Sequence, residues 1–145
     1  MTQILQPLSG EYAASRKILE QIPFPIGYGI ETSMILDIWQ RWGLDVMCQV
    51  DLEKRVHRNQ DTKALGKMAF VILQTFLRRL SHLDRLTLKG EMFNQMIQYR
   101  LVADEYEADL FTYSGHERPP MINIAAYREK FCRDAPPAAP SEVSP

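Results

Sequence analysis

The chain has 145 residues, 17 of them basic and 18 acidic, for a net charge of −1. That length suits one domain able to bury about 70% of its unfolded surface, and the even charge argues against a broad nucleic-acid or membrane-surface footprint. Cys48 and Cys132 lie outside any CxxC spacing, which argues against a disulfide framework or a structural zinc site.

The first residues have neither a basic start nor a long apolar run, so no signal peptide is expected. No apolar stretch approaches the ~20 residues that span a bilayer. A cytoplasmic protein with no membrane partner is the expectation. Ile4 to Leu8 reads as a short extended piece. A helix is predicted from about Glu11 to Gln21, closed by Pro23 and Pro25, which force extended backbone. Gly27 and Gly29 flank Tyr28 and give backbone freedom on both sides of one ring. The next helix spans about Ile30 to Trp42, with Met34, Ile35, Ile38 and Trp39 on a broad apolar face and Gly43 as its stop.

Leu44, Val46, Cys48, Val50 and Leu52 then alternate with Asp45, Met47, Gln49 and Asp51, the period of a strand. After the loop Arg55-Val56-His57-Arg58-Asn59, Asp61 or Thr62 caps a long helix. Its stripe of Leu65, Met68, Ala69, Ile72, Phe76, Leu77 and Leu80 runs to about His82. Signals blur from Ser81 to Asn94. Met92 to Tyr99 fits helix or strand, and Tyr106 to Tyr113 reads as extended. Glu117 to Met121 is expected to be irregular, Ile124 to Phe131 a short helix, and the proline-rich residues 134–145 a disordered tail after a domain of residues 1–133. Strand, loop and helix in this order suit an α/β fold. One strand makes no sheet, so weaker strands are expected in 1–8 and 92–116, along with a sheet completed by another segment.

The residues that carry chemistry sit at the ends of these elements. His57 is either a metal ligand, kept neutral by the nearby arginines, or an exposed loop histidine. Arg55, Arg58 and Asn59 suit a phosphate or carboxylate before a helix N-terminus, or form a solvated basic loop. Glu31 lies in a helix's first turn, where the dipole favours acids in any case; the alternative is a carboxylate that accepts sugar or acceptor hydroxyls. Gly27-Tyr28-Gly29 is only part of a nucleotide fingerprint. Trp39 and Trp42 share a face and read as core.

In this order, Pro7-Leu8-Ser9-Gly10-Glu11-Tyr12, Pro23-Phe24, Gly27-Tyr28-Gly29-Ile30-Glu31, Gln49-Val50-Asp51-Leu52 and Arg55-Val56-His57-Arg58-Asn59 resemble the glucosyl-3-phosphoglycerate synthases, with Glu117 to Met121 a later matching block. Residues 6–82 match well and 83–116 poorly. The resemblance implies the C-terminal, acceptor-side portion of a GT-A (Rossmann-like) retaining glycosyltransferase, without the nucleotide-binding half and its Asp-x-Asp motif. Family members move glucose from UDP-glucose to 3-phosphoglycerate and use a divalent cation, Mg2+ or Mn2+.

By that resemblance His57 is the metal ligand, and Arg55 and Tyr28 lie near the donor diphosphate. Asn59, with Arg58 beside it, binds the acceptor, Leu8 contacts sugar or acceptor through its backbone, and Glu31 faces the reacting sugar. The resemblance also implies a homodimer or a separate donor-binding chain, and inactivity of this chain alone. The alternative is a non-catalytic acceptor-binding or assembly module.

Overall fold

A computed structural model describes residues 4–53 and 60–131. The expectations for residues 55–59 and for the tail at 134–145 lie outside the described residues. The order is α1 (Arg16–Leu19), β1 (Phe24–Pro25), α2 (Ile30–Trp42), α3 (Thr62–His82), β2 (Gln95–Val102), β3 (Glu105–Thr112), β4 (Glu117–Arg118), a 3-10 turn (Met121–Asn123) and α4 (Ala125–Phe131).

Two helices carry the fold. In α2 every residue from Thr32 to Ile38 except Ile35 is buried. Met34 and Ile38 join Ile22 in a core that Ile18, Leu19, Phe24, Trp42 and Met47 enclose. Helix α3 starts on Asp61, whose carboxylate accepts from the Ala64 N–H at 2.7 Å, the N-cap that satisfies one of the open donors of a first turn. Both helices occupy the spans predicted from periodicity.

Helix α3 lies between α2 and a hairpin of β2 and β3. At 100° per residue, Lys63, Lys67, Phe70 and Gln74 form one side and Thr75 and Arg79 the other. The first set meets the hairpin: Gln98 donates to the Lys63 carbonyl, Lys63 pairs with Asp109, Phe70 meets Phe111 edge-on at 6.3 Å, and Gln74 donates to the Phe93 carbonyl. The second set meets α2. At the other end, α4 is tied to α1 through Tyr127, which donates to Glu20 at 2.6 Å.

Four expectations change. The helix predicted over 11–21 is the single turn of α1, because Gly10 takes φ 73° and the chain stays non-helical until Ser15 caps it. Residues 4–8 form no strand; they turn, with Ser9 N–H donating to Gln6. Residues 44–52 form no strand either. Alternation makes a strand only beside another strand, none of the described residues forms a ladder with these, and Val46, Val50 and Leu52 are exposed. Glu117 and Arg118 are not irregular but pair antiparallel with Pro25 and Phe24.

The hairpin closes on Ala103 and Asp104, both at positive φ, 47° and 67°. This is the backbone of a two-residue primed turn, which matches strand twist but strains residues with a Cβ. Replacing Ala103-Asp104 by Asn-Gly is expected to raise unfolding free energy by about 1 kcal/mol, measured by urea denaturation; no gain would contradict the turn.

Candidate functional site

The segment from Pro23 to Glu31 is fixed at both ends. Its start is β1, paired with β4, and the Ile26 N–H extends that pairing by donating to the His116 carbonyl at 3.0 Å. Its end is the first turn of α2, where the Gly29 carbonyl accepts from Ser33 N–H. The two blocks around residues 23–31 and 117–121, far apart in sequence, are thus one unit in space.

The two glycines serve different ends. Gly27 has φ 95° with open space where a Cβ would be, so it is there for its backbone. Gly29 has an ordinary φ of −85° and is there for room: a Cβ would lie 2.1 Å from Thr75 Oγ1. Thr75 cannot move aside easily, being buried and hydrogen-bonded to Tyr113 Oη at 3.1 Å. The α2 N-terminus therefore sits hard against α3.

Between these glycines Tyr28 is half exposed, and Glu31 is half-buried in the first turn of α2. Leu8 comes to the same helix. With Pro7, Thr32, Ile35, Ile72 and Phe76 it lines an apolar groove of about 330 Å3, and Thr32 is the residue after Glu31. Leu8 thus shares a groove with Thr32 of the first turn of α2, while Glu31 lies in that same turn and Tyr28 just before it. Arg55, His57, Arg58 and Asn59 lie outside the described residues. Among the described residues no group of three His, Cys, Asp or Glu side chains sits together, so these residues alone do not fit a cation.

Beneath the site lies a charged cluster the sequence reading missed. Arg79 of α3 is buried, with its Nη2 donating to Glu117 Oε1 at 2.7 Å and its Nε 3.3 Å from Asp37 Oδ1. The second contact is a charge attraction without hydrogen-bond alignment, since Arg79 Nε lacks a hydrogen-bond partner, as does the other carboxylate oxygen, Asp37 Oδ2. Burial pushes the Asp37 carboxyl up to about 6; Arg79 and Arg41 pull it down and Glu117 adds to the rise. The signal was available: Asp37 is a charge among the apolar residues Met34, Leu36 and Ile38 of α2, and Arg79 follows three residues after Phe76 on an apolar stripe.

No protein-family profile matches the chain. Glucosyl-3-phosphoglycerate synthase from Petrotoga mobilis is 41% identical over 134 residues, 92% of this chain and 41% of that protein. The glucosyl-3-phosphoglycerate synthase of Mycobacterium tuberculosis, solved with Mn2+, uridine diphosphate and glucosyl-3-phosphoglycerate, superposes with a TM-score of 0.71 at 37% identity, over 82% of this chain and 39% of that one. Mannosyl-3-phosphoglycerate synthase from Rubrobacter xylanophilus gives 0.70 at 30% identity, over 81% and 38%. The mycobacterial enzyme has also been solved with Mg2+, and with UDP-glucose and phosphoglyceric acid. The chain spans about two fifths of the length of these relatives. Its homologues are glucosyl-3-phosphoglycerate synthases, and its fold is part of their α/β glycosyltransferase fold.

Gly29→Ala is expected to cost about 2 kcal/mol through the Thr75 clash, and Gly27→Ala about 1 kcal/mol through backbone strain alone, both read by denaturation. Equal losses would contradict the two roles. The Asp37 carboxyl lies above its unfolded value of 3.8, so the folded state binds the proton more tightly. The stability this gives is full below about pH 4 and is lost as pH rises towards about 6. Relative to Asp37→Asn, the native chain should lose roughly 2–3 kcal/mol between pH 4 and 7. Parallel stability profiles for the two proteins would contradict this.

Proposed function

We propose that this homologue of part of the glucosyl-3-phosphoglycerate synthases is the acceptor-side portion of a glucosyltransferase that moves glucose from UDP-glucose to 3-phosphoglycerate. The bond from the anomeric carbon to the diphosphate breaks and one to the acceptor hydroxyl forms. The hydroxyl proton leaves alongside the nucleoside diphosphate. The observation that carries the reading is the fixed start of α2, with Tyr28 before it, Glu31 in its first turn and Leu8 in a groove beside Thr32, in a chain 37% identical to an enzyme solved with UDP and its product.

In this reading the β1–β4 pairing and the Gly29–Thr75 contact hold Glu31 and Tyr28 in place before substrate arrives, so that positioning costs little at the moment of reaction. Glu31 faces the sugar and accepts from a hydroxyl. Tyr28 and Arg55 attend the diphosphate, Arg58 and Asn59 hold the acceptor's anionic groups, and Leu8 contacts sugar or acceptor through its backbone. A divalent cation, Mg2+ or Mn2+, belongs to the proposal as the neutraliser of the departing diphosphate, with His57 as this chain's ligand.

The remaining structure needed for donor binding comes from another segment or a separate chain, and self-association as a homodimer is part of the same reading. The exposed, alternating residues Val46, Val50 and Leu52 support a sheet completed from outside these 145 residues. A second reading is a non-catalytic acceptor-binding or assembly module that keeps the fold.

The 145-residue chain alone, given UDP-glucose, 3-phosphoglycerate and Mn2+, is expected to transfer no glucose. Supplying the donor-binding portion of a relative should restore transfer. In that system Glu31→Gln should lower kcat about 100-fold with cation dependence unchanged, whereas His57→Ala should raise the cation concentration needed. Full activity of Glu31→Gln would remove it from the site. Acceptor binding that persists when no donor-binding portion restores transfer would favour the module.

A further inference from the structure

Two neighbouring arginines of α3 differ in their surroundings. Arg79 turns towards α2 and β4 and meets two carboxylates. Arg78, about 100° round the helix, has no ion pair or hydrogen bond among the described residues. Its Nε is buried without a partner. The guanidinium is held against Gly115, where a Cβ would come within 3.4 Å of its central carbon. A guanidinium is five N–H donors around a permanent charge, and a cation partly withdrawn from water calls for a counter-charge.

The group lines a cavity of about 340 Å3 between the last turns of α3 and the segment that leads into β2. Ser81 and His82 line it too, three and four residues on from Arg78 and so on the same helix face. Together the three supply a fork of N–H groups, a hydroxyl and a ring N–H. Leu88 and Met92 give the cavity an apolar wall. One carboxylate, Glu91, also lines it but forms no ion pair with Arg78. At the helix end the carbonyls of Arg79, Leu80 and Ser81 already accept from Leu83, Arg85 and Asp84.

We infer that this cavity is a binding site for a phosphate dianion carried by a small hydroxylated ester. Arg78 takes two phosphate oxygens side by side, the geometry that guanidinium and phosphate share, and Ser81 and His82 donate to the rest. Glu91 repels a bare dianion but accepts from a ligand hydroxyl, and the carbon skeleton lies on Leu88 and Met92. An ester with a free hydroxyl is therefore preferred to inorganic phosphate. Residues 55–59 precede α3 in sequence, whereas Arg78 lies about 24 Å along it from Thr62. The inference goes beyond glucosyl transfer and does not depend on it.

The isotope-labelled 145-residue chain, titrated with glycerol 3-phosphate at constant ionic strength, is expected to show saturable shifts of the Gly115, Ser81 and His82 amide signals. Arg78→Gln should weaken binding at least about tenfold, the worth of a charge-assisted hydrogen bond. Arg78→Lys keeps the charge without the fork and should weaken it less. Glu91→Gln should tighten it about threefold by removing a like charge. If Arg78→Gln loses its circular dichroism signature, the exposed Glu91 decides instead, and no tightening in Glu91→Gln overturns the inference. So does an absence of shifts at Gly115, or shifts that survive Arg78→Gln in full. Shifts abolished by Arg58→Gln would assign the anion to the basic loop and overturn it as well. Tighter binding of inorganic phosphate than of glycerol 3-phosphate would overturn the assignment to an ester.

Discussion

Arg79 is the point on which the parts of this chain converge. From the middle of the fold it reaches Asp37 on α2 and Glu117 on β4, and β4 in turn holds β1, where the loop to α2 begins. One guanidinium so anchors both ends of the segment that carries Tyr28 and Glu31. Removing one partner of such a buried pair leaves an uncompensated charge, a loss of roughly 3–5 kcal/mol, although the intact pair itself adds little net stability. What the cluster supplies is a fixed relation between α2, α3 and β4.

Close packing does the rest. Gly29 lets the start of α2 approach the buried Thr75, and Tyr113 locks Thr75 from the hairpin side. The residue that follows the hairpin thereby touches the support of the loop. Two positions that look equivalent in sequence, Gly27 and Gly29, answer different constraints: one a backbone angle, the other the space for a Cβ.

The parts legible in the sequence were those with a strong period and a recognisable cap. Helix α2 and helix α3, with Asp61 before it, fall where the apolar spacing puts them, because both bury one side of a regular helix. The hairpin was only half legible. Its turn is Ala103-Asp104 rather than a glycine pair, and its apolar residues face outward, so neither the turn chemistry nor a core pattern marked it. Residues 44–52 misled for the opposite reason: the alternation is real, but a ladder needs a neighbour that the described residues do not provide. Of the candidate site, Leu8, Tyr28 and Glu31 could be named from the family resemblance, whereas the union of residues 23–31 with 117–118 came only from the backbone pairing. Asp37 and Arg79 stood in plain view as charges on apolar helix faces, and a search for such exceptions would have found them.

The claim that the Arg79 cluster holds the candidate loop through β4 is tested most directly by hydrogen exchange in Glu117→Gln, which keeps the side chain's shape and removes its charge. The Ile26 amide, bonded to the His116 carbonyl next to β4, should exchange about tenfold faster or more, the loss of a charge-assisted hydrogen bond. The Tyr113 amide, bonded to Asn94 at the base of the hairpin, should keep its rate. An Ile26 amide as protected as in the native chain would contradict the account.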